Sequence, residues 1–308
     1  MRTLLWPKII AGATLAFAVH AAPVQAQSTR TWVSGKGQDV LLNPPCTLFS
    51  PCKTLQFALK QTAAGGEISV LDPDGMGQVI IDKAITINGE GTLGSILTSA
   101  GAGITVDVPA KDNVIIRNIS INGGPVGSVG IQVNSGNVTV DKCLIFGFVG
   151  SPSGVGINAT FTNGGRLDVR DTNITHVTNG IILKTEQGSA IGTADNVRIN
   201  NSASQGIAAL SAGAVMTVNR SFISNSGNGV GTPSGAGTVN VVDSVLSNNT
   251  IAVNAQGSGS TIRLTNNSIF DNATGFAIGA GATVATALNN KTAGNGGAAV
   301  LNGSIGNQ

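Results

Sequence analysis

The stretches VNVVDSVL (239–246) and IRLTNNSI (262–269) decide the fold of this chain. In each stretch two apolar residues alternate with polar ones, an Asp or Asn follows, and another apolar residue comes three positions later. The pattern recurs every 23 to 29 residues, and self-similarity at such a period is the signature of a solenoid. The Asp or Asn column of this repeat consists of Asn118, Lys142 (an exception), Asp171, Asn196, Asn219, Asp243, Asn266 and Asn289.

Two further series of residues, a second Asn column and a set of Gly-apolar strand starts, recur with this period. A repeat of this length has no room for two strands and a crossover helix, so each repeat winds as a coil of short strands. Equivalent strands then stack in parallel about 4.8 Å apart, and nine to ten coils make an all-β parallel β-helix. Stacked amides can hydrogen-bond to one another, so we interpret the Asn columns as structural. The second column is Asn225, Asn249, Asn272 and Asn295, and new strands begin at Gly130-Ile131, Gly156-Ile157, Gly180-Ile181, Gly206-Ile207, Gly229-Val230 and Gly275-Phe276.

The chain divides into three segments. Residues 1–26 combine a basic start, a short apolar run and the small-x-small site Val24-Gln25-Ala26, which is typical of a secretory signal peptide. We therefore expect an exported protein, periplasmic or extracellular, with no membrane-spanning segment in the mature chain. Residues 27–66 form an N-terminal segment with a disulfide loop and a capping helix, and residues 67–308 form the β-helix.

The capping helix is predicted from its start signal and its periodicity. Ser50-Pro51 resembles an N-cap followed by proline at the first helical position. Apolar residues recur from Leu55 to Thr62 at helical spacing, and Gly65-Gly66 ends the segment. A helix here would cover the first open end of the solenoid. After Gly297 the sequence shows no comparable cap, so we expect open strand edges there.

Cys46 and Cys52 flank a short loop in this N-terminal segment. An oxidising compartment favours a disulfide between them, worth about 2 kcal/mol. Two free thiols are the alternative. Cys143 adjoins the Asp or Asn column and is expected to pack as a small hydrophobe.

Charge and composition exclude several kinds of partner. The chain has 17 Lys and Arg against 15 Asp and Glu, and losing Arg2 and Lys8 leaves 17 − 2 = 15 against 15. A neutral protein has no global field to attract nucleic acid, so nucleic acid is not an expected partner. His176 is the one histidine outside the signal peptide, which excludes histidine-based zinc sites. We expect no cofactor and no bound metal.

The stretches PCKTLQFAL (51–59) and GGEISVLDP (65–73) resemble the N-terminal cap and first coil of exported right-handed parallel β-helix proteins of the pectate-lyase-like superfamily. The similar proteins are small bacterial members, mostly uncharacterised. This resemblance implies a right-handed coil. Enzymes of the superfamily act on polysaccharides with carboxylates, Arg or Lys along an outer strand face, which points to a related activity by analogy alone.

The outward positions that follow the Gly-apolar strand starts carry no ionisable side chain apart from Lys184. A second outward stripe is richer and permits two interpretations. Its charges alternate in sign between coils, which fits a surface ion-pair ladder of little net stability. Alternatively, Asp141 and Asp195 lie two coils apart, roughly 10 Å, near the spacing of an inverting glycosidase, with Lys184 as a possible base. The stripe contains Arg117, Asp141, Arg170, Asp195, Val218 and Val242, with Asp168 two residues before Arg170.

Two functions follow from these patterns. The first is a non-catalytic surface or periplasmic scaffold that binds a polysaccharide or another surface protein. The alternative is a polysaccharide lyase or glycoside hydrolase that uses Asp141, Asp168, Arg170 and Asp195. We also predict an exposed apolar patch at Met216, Val218 and Val242, where a partner or a terminal segment would bind.

Overall fold

The computed structural model describes residues 27–98, 100–150, 154–297 and 300–306, and the expected signal peptide lies outside them. The described chain is almost entirely β-structure with one short helix, α1 (Leu55–Gln61). It forms a parallel β-solenoid of about nine coils, which confirms the predicted fold class. Within the described residues, no helix has the length and apolar character needed to cross a membrane.

Short strands follow one another along the whole described chain. They are β1 Ser28–Val33, β2 Thr62–Val70, β3 Val79–Ile81, β4 Ile85–Asn88, β5 Ser95–Leu97, β6 Gly101–Val106, β7 Asn113–Arg117, β8 Ser120–Asn122, β9 Gly127–Val133, β10 Asn137–Asp141, β11 Leu144–Phe148, β12 Val155–Phe161, β13 Gly165–Arg170, β14 Asn173–Thr185, β15 Ala190–Asp195, β16 Arg198–Ala209, β17 Ala214–Asn219, β18 Phe222–Ser224, β19 Asn228–Thr232, β20 Thr238–Val242, β21 Val245–Ser247, β22 Ile251–Ala255, β23 Thr261–Thr265, β24 Ser268–Phe270, β25 Thr274–Ile278, β26 Thr283–Thr286, β27 Lys291–Ala293 and β28 Gly303–Ser304.

The strands assemble into two parallel sheets. Sheet A has 12 strands in the order β1-β2-β4-β7-β10-β13-β15-β17-β20-β23-β26-β28, and sheet B has 16. Each regular coil gives one strand to sheet A, then a short and a longer strand to sheet B, and β14 and β16 each span both of these. Inward residues of successive coils align and form one continuous apolar core.

The Gly-apolar strand starts are in the predicted register. The apolar residue of each start is the register partner of the apolar residue of the next start, one coil on. These residues are Ile131 of β9, Ile157 of β12, Ile181 of β14, Ile207 of β16 and Val230 of β19. The preceding glycines are required by close contact between coils. A Cβ on Gly180 would lie 2.4 Å from the backbone oxygen of Gly206, a distance that real Cβ atoms do not reach.

The turn columns differ from the prediction by one residue in three places. Left-handed backbone, which Asn and Asp tolerate best, occurs at Arg220 and Leu288 rather than at Asn219 and Asn289. Asn219 instead ends β17 and pairs with Asp195. In the second column, Asn225 is itself left-handed, so the residue equivalent to Asn249 is Ser226. In the first column the error arises because Arg220 and Leu288 occupy the turn position and each stands directly beside an Asn in the sequence.

Asparagines in the second turn point into the core and bond between coils. The Nδ2 of Asn249 donates to the Oδ1 of Asn272 at 3.0 Å, and that of Asn272 donates to the Oδ1 of Asn295 at 2.8 Å. The first turn holds a similar pair, in which Asn267 Nδ2 donates to Asn290 Oδ1 at 2.9 Å. These amides also bond to backbone groups of the neighbouring coil, at Asn249 N–H, Val241 O and Leu246 O, which satisfies those buried polar groups.

The capping helix begins later and ends earlier than predicted. Thr54, not Ser50, is the N-cap, and its side chain accepts a hydrogen bond from the Phe57 N–H. Thr62 caps the C-terminus and β2 starts at once, so Gly65-Gly66 lies within a strand. The helix side chain Gln56 covers the edge of β3, where its Oε1 accepts from Ile80 N–H at 2.8 Å.

The N-terminal segment is part of the solenoid rather than a separate unit. Strand β1 pairs in parallel with β2, and the predicted boundary between residues 66 and 67 falls inside β2. Cys46 and Cys52 form a disulfide with Cα atoms 4.8 Å apart. The bridged loop covers the free edge of β1, because Trp32 N–H donates to Cys46 O and Cys52 N–H donates to Trp32 O.

Candidate functional site

The outer face of sheet A brings together four of the five candidate residues. Asp141, Arg170 and Asp195 are direct neighbours in the register of β10, β13 and β15. Asp168 lies two residues before Arg170 on β13, facing the same side. The alternation of apolar and polar residues predicted this part of the register correctly because β10, β13 and β15 end at equivalent positions.

The charged residues of this face bond mainly to one another. Arg170 Nη2 lies 3.9 Å from Asp168 Oδ2, and Arg220 Nη2 pairs with Asp195 Oδ2. Asp195 Oδ1 also accepts from Asn219 Nδ2 at 3.0 Å. The arginines are more than half exposed, so each pair contributes at most about 1 kcal/mol to stability. Asp195 is the more firmly positioned of the two carboxylates, because it contacts both Arg220 and Asn219.

Lys184 lies on the other sheet. It belongs to β14 and pairs with Thr160 of β12 in sheet B, so it does not join the aspartates of sheet A. His176 also lies on β14, exposed, in a left-handed turn with Nδ1 3.0 Å from Thr175 Oγ1.

The predicted apolar patch does not form. Met216 and Val218 are fully buried, and Val218 aligns with the core residues Ala194 and Val241. Only Val242 is partly exposed. The prediction was wrong because Val218 was placed one position out of register, where Asn219 actually lies.

A groove on the outer face of sheet A crosses β7, β10 and β13. We call it the Arg166 groove; its volume is about 390 Å³. Two rows of side chains line it, with Arg166 and Asp168 at one end. Arg166 and Asp168 are alternate residues of one strand, so extending the alternation one step back from Asp168 would have identified Arg166 from the sequence. The groove is lined by Asn113, Ile115, Asn137, Val138, Thr139, Arg166 and Asp168.

An ion network lies at the N-terminal end of the same face. Glu67 pairs with Arg30 at 3.2 Å and with Arg117 at 3.7 Å. Burial raises the pKa of Glu67, but hydrogen bonds from Ser69 and Asn88 and the two arginine charges outweigh it, so the pKa lies below its ordinary value. Glu67 is therefore an ionised structural residue that joins the first coils.

The remaining groups do not form a metal or thiol centre. Burial raises the pKa of the Cys143 thiol to about 12, so it is not a nucleophile. Within residues 27–98, 100–150, 154–297 and 300–306, no group of three His, Cys, Asp or Glu side chains is placed to hold a metal ion.

Comparison with known proteins identifies the fold. The structure is similar to that of the GH136 lacto-N-biosidase from Eubacterium ramulus, with a TM-score of 0.60 at 9% identity, over 89% of this chain and 67% of that one. It is also similar to pectate lyase Pel9A, with a TM-score of 0.51 at 12% identity, over 92% and 79%. No family model and no curated protein matches the sequence. The chain therefore has the right-handed parallel β-helix fold of pectate-lyase-like proteins.

Proposed function

We propose that this protein is exported, to the periplasm or beyond the cell, and binds a polysaccharide at the Arg166 groove without cleaving it. The similar structures, a lacto-N-biosidase and a pectate lyase, are both named for action on carbohydrate. That likeness concerns the fold, so the proposal depends on the chemistry of the groove itself.

The groove offers the groups that sugar hydroxyls require. Asn113, Asn137 and Thr139 present amides and a hydroxyl, which both donate and accept hydrogen bonds. Ile115 gives an exposed apolar surface for a sugar ring face, and Arg166 has no ion-pair partner among the described residues. A volume near 390 Å³ is at the small end of ligand sites.

The observation that supports binding over catalysis is the pairing of the carboxylates. A glycosidase needs one carboxylic acid that holds a proton and one free carboxylate. Here Asp168 faces Arg170 and Asp195 faces Arg220. Each of these two carboxylates is therefore engaged by a neighbouring guanidinium and is not free to contact a glycosidic oxygen or an attacking water.

Binding is tested by isothermal titration against oligosaccharides selected on a glycan array. Arg166→Ala should weaken binding by about tenfold or more, since a hydrogen bond to a charged group contributes about 1.5–3 kcal/mol. Arg263→Ala is the matched control, because Arg263 lies on β23 of the same sheet, far along the stack, and bonds only Asn240. Equal effects of the two substitutions would reject the groove as the site.

A polysaccharide lyase or hydrolase is the second candidate. It is favoured by the position of Asp168 beside Arg166 in the groove. The array-positive polysaccharides should be incubated with the protein and scored for reducing ends and for unsaturated products. Turnover that disappears in Asp168→Ala but not in Asp243→Ala would replace the binding proposal with an enzymatic one.

A further inference from the structure

The short strands of sheet B present a second outer surface, separate from sheet A. In most of them the first and third residues point outward and the second points into the core, as in Asn173-Ile174-Thr175 and Arg198-Ile199-Asn200. We call the outward residues the short-strand face. Its strands are β5, β8, β11, the first part of β14 and of β16, β18, β21, β24 and β27.

This face carries no carboxylate at the outward positions of those described strands, whereas sheet A carries several. Its charges are cationic, Arg198 near the middle and Lys291 at one end. The nearest carboxylates are in flanking turns, and Asp171 there accepts from Asn196 Nδ2 at 2.6 Å. Arg198 is exposed and forms no ion pair with any described residue. A free guanidinium with no acid beside it is complementary to an anion.

Three of the protein's outward-facing phenylalanines lie on this face. Phe222 is the direct neighbour of Arg198 on the next coil and is 38% exposed. Phe146 and Phe270 are partly exposed farther along the stack. These rings are spaced by whole coils, roughly 10–15 Å apart at 4.8 Å per coil. The exposed Leu97 and Leu144 lie toward the N-terminal end of the face, whereas the outward neighbours of Arg198 on β14 are polar. Sequence reasoning missed them because most phenylalanines were expected to point inward.

A cavity of about 280 Å³ connects these features. Its walls are Asn173, Thr175, Arg198, Asn200 and Phe222, and its floor is the backbone at two core isoleucines. The Oδ1 of Asn200 already accepts from Asn225 Nδ2 at 3.1 Å, so its amide is oriented with the NH₂ group available. The cavity thus combines a cation, amide donors and one ring.

We infer that the short-strand face binds an anionic oligosaccharide, with a carboxylate or sulfate on Arg198 and a sugar ring against Phe222. The ligand lies along the stack, so that its hydroxyls meet Asn173, Thr175 and Asn200 on adjacent coils. A protein partner is disfavoured at this cavity because one ring among amides and hydroxyls does not form the contiguous apolar surface of a protein interface core. This site is additional to the Arg166 groove and lies on a different sheet.

The test measures binding of three anionic probes, hexagalacturonate, hexamannuronate and a chondroitin sulfate hexasaccharide, by isothermal titration. At least one should bind, and Arg198→Ala should weaken that binding about 10- to 100-fold, the equivalent of losing a charged hydrogen-bonded pair. Arg198→Lys should restore part of the loss. Phe222→Ala should weaken binding by roughly fivefold or more, since an aromatic stack contributes about 1 kcal/mol.

The control variant is Arg263→Ala, which removes the same charge from sheet A. The galacturonate methyl ester, which keeps the rings and loses the charges, should bind wild type and Arg198→Ala equally weakly. The inference is overturned if none of the probes binds, or if Arg198→Ala and Arg263→Ala weaken binding alike. Sensitivity to Arg166→Ala alone would support the proposed function and reject this second site. A change of oligomeric state in Phe222→Ala with unchanged probe binding would instead indicate an interface between copies.

Discussion

Substitution of Asn272 by alanine should strongly destabilise the C-terminal half of the solenoid. Asn272 is buried, and the two N–H groups of its Nδ2 are shared among three acceptors, Asn295 Oδ1, Phe270 O and Leu246 O, at 2.8, 2.9 and 3.0 Å. Its Oδ1 accepts from both nitrogens of Asn249, the backbone N at 2.9 Å and Nδ2 at 3.0 Å. One side chain therefore satisfies polar groups on three successive coils.

The magnitude follows from the groups left without partners. Asn272→Ala removes the partner of the buried Asn249 backbone N–H, which costs about 1–3 kcal/mol, and breaks the amide bonds to Asn249 and Asn295, at about 0.5–1.5 kcal/mol each. The free energy of unfolding should therefore fall by about 3–5 kcal/mol. Asn240→Ala is the control, because Asn240 faces outward on β20 and its side chain only accepts from Arg263 Nη1 at 3.1 Å. Its loss should cost less than about 1 kcal/mol.

The assay is urea unfolding followed by circular dichroism, with the midpoint and the m-value compared among the variants. Solenoids can unfold by repeats, so a reduced m-value with an early transition is expected for Asn272→Ala if only the C-terminal coils open. Equal midpoints for Asn272→Ala and Asn240→Ala would refute the reasoning, because buried amide bonds between coils would then add nothing beyond a surface contact.

Three further predictions concern the ends and the register of the stack. Because the pKa of Glu67 is lowered on folding, its contribution to stability is present above the unfolded-state pKa of about 4.3 and is lost as the pH falls through the folded-state pKa. Glu67→Gln should therefore flatten the decline in melting temperature between pH 5 and pH 3. An unchanged pH dependence of the melting temperature would contradict a stabilising role for the Glu67 ion pairs. Replacing Cys46 and Cys52 together by serine should lower the free energy of unfolding by about 2 kcal/mol, measured by urea titration against the oxidised protein, and a loss below the error of the titration would show that the loop is held by its backbone bonds alone. Val218→Asp should prevent folding or lower the free energy of unfolding by about 4 kcal/mol or more, since an unpaired charge would enter the core. Val242→Asp should change the melting temperature little. A larger loss of stability in Val242→Asp than in Val218→Asp would mean that Val218 faces outward, as the predicted apolar patch required.

The sequence by itself determined the architecture. A repeat near 23 residues with strict apolar alternation permits one arrangement, because each coil must bury its inward residues against the coils above and below it. The same periodicity correctly placed the Gly-apolar strand starts. It also placed Asp141, Arg170 and Asp195 side by side on sheet A, since those strands end at equivalent positions.

Tertiary structure decided which side chains meet at the bends and on the outer faces. Arg220 rather than Asn219 occupies the turn, which leaves Asn219 in sheet A and Val218 in the core, because a shift of one residue in a strand exchanges its two faces. Likewise, nothing local set Phe222 beside the unpaired Arg198 of the neighbouring coil. These contacts join residues 20 or more positions apart, and only the stacking of complete coils brings them together.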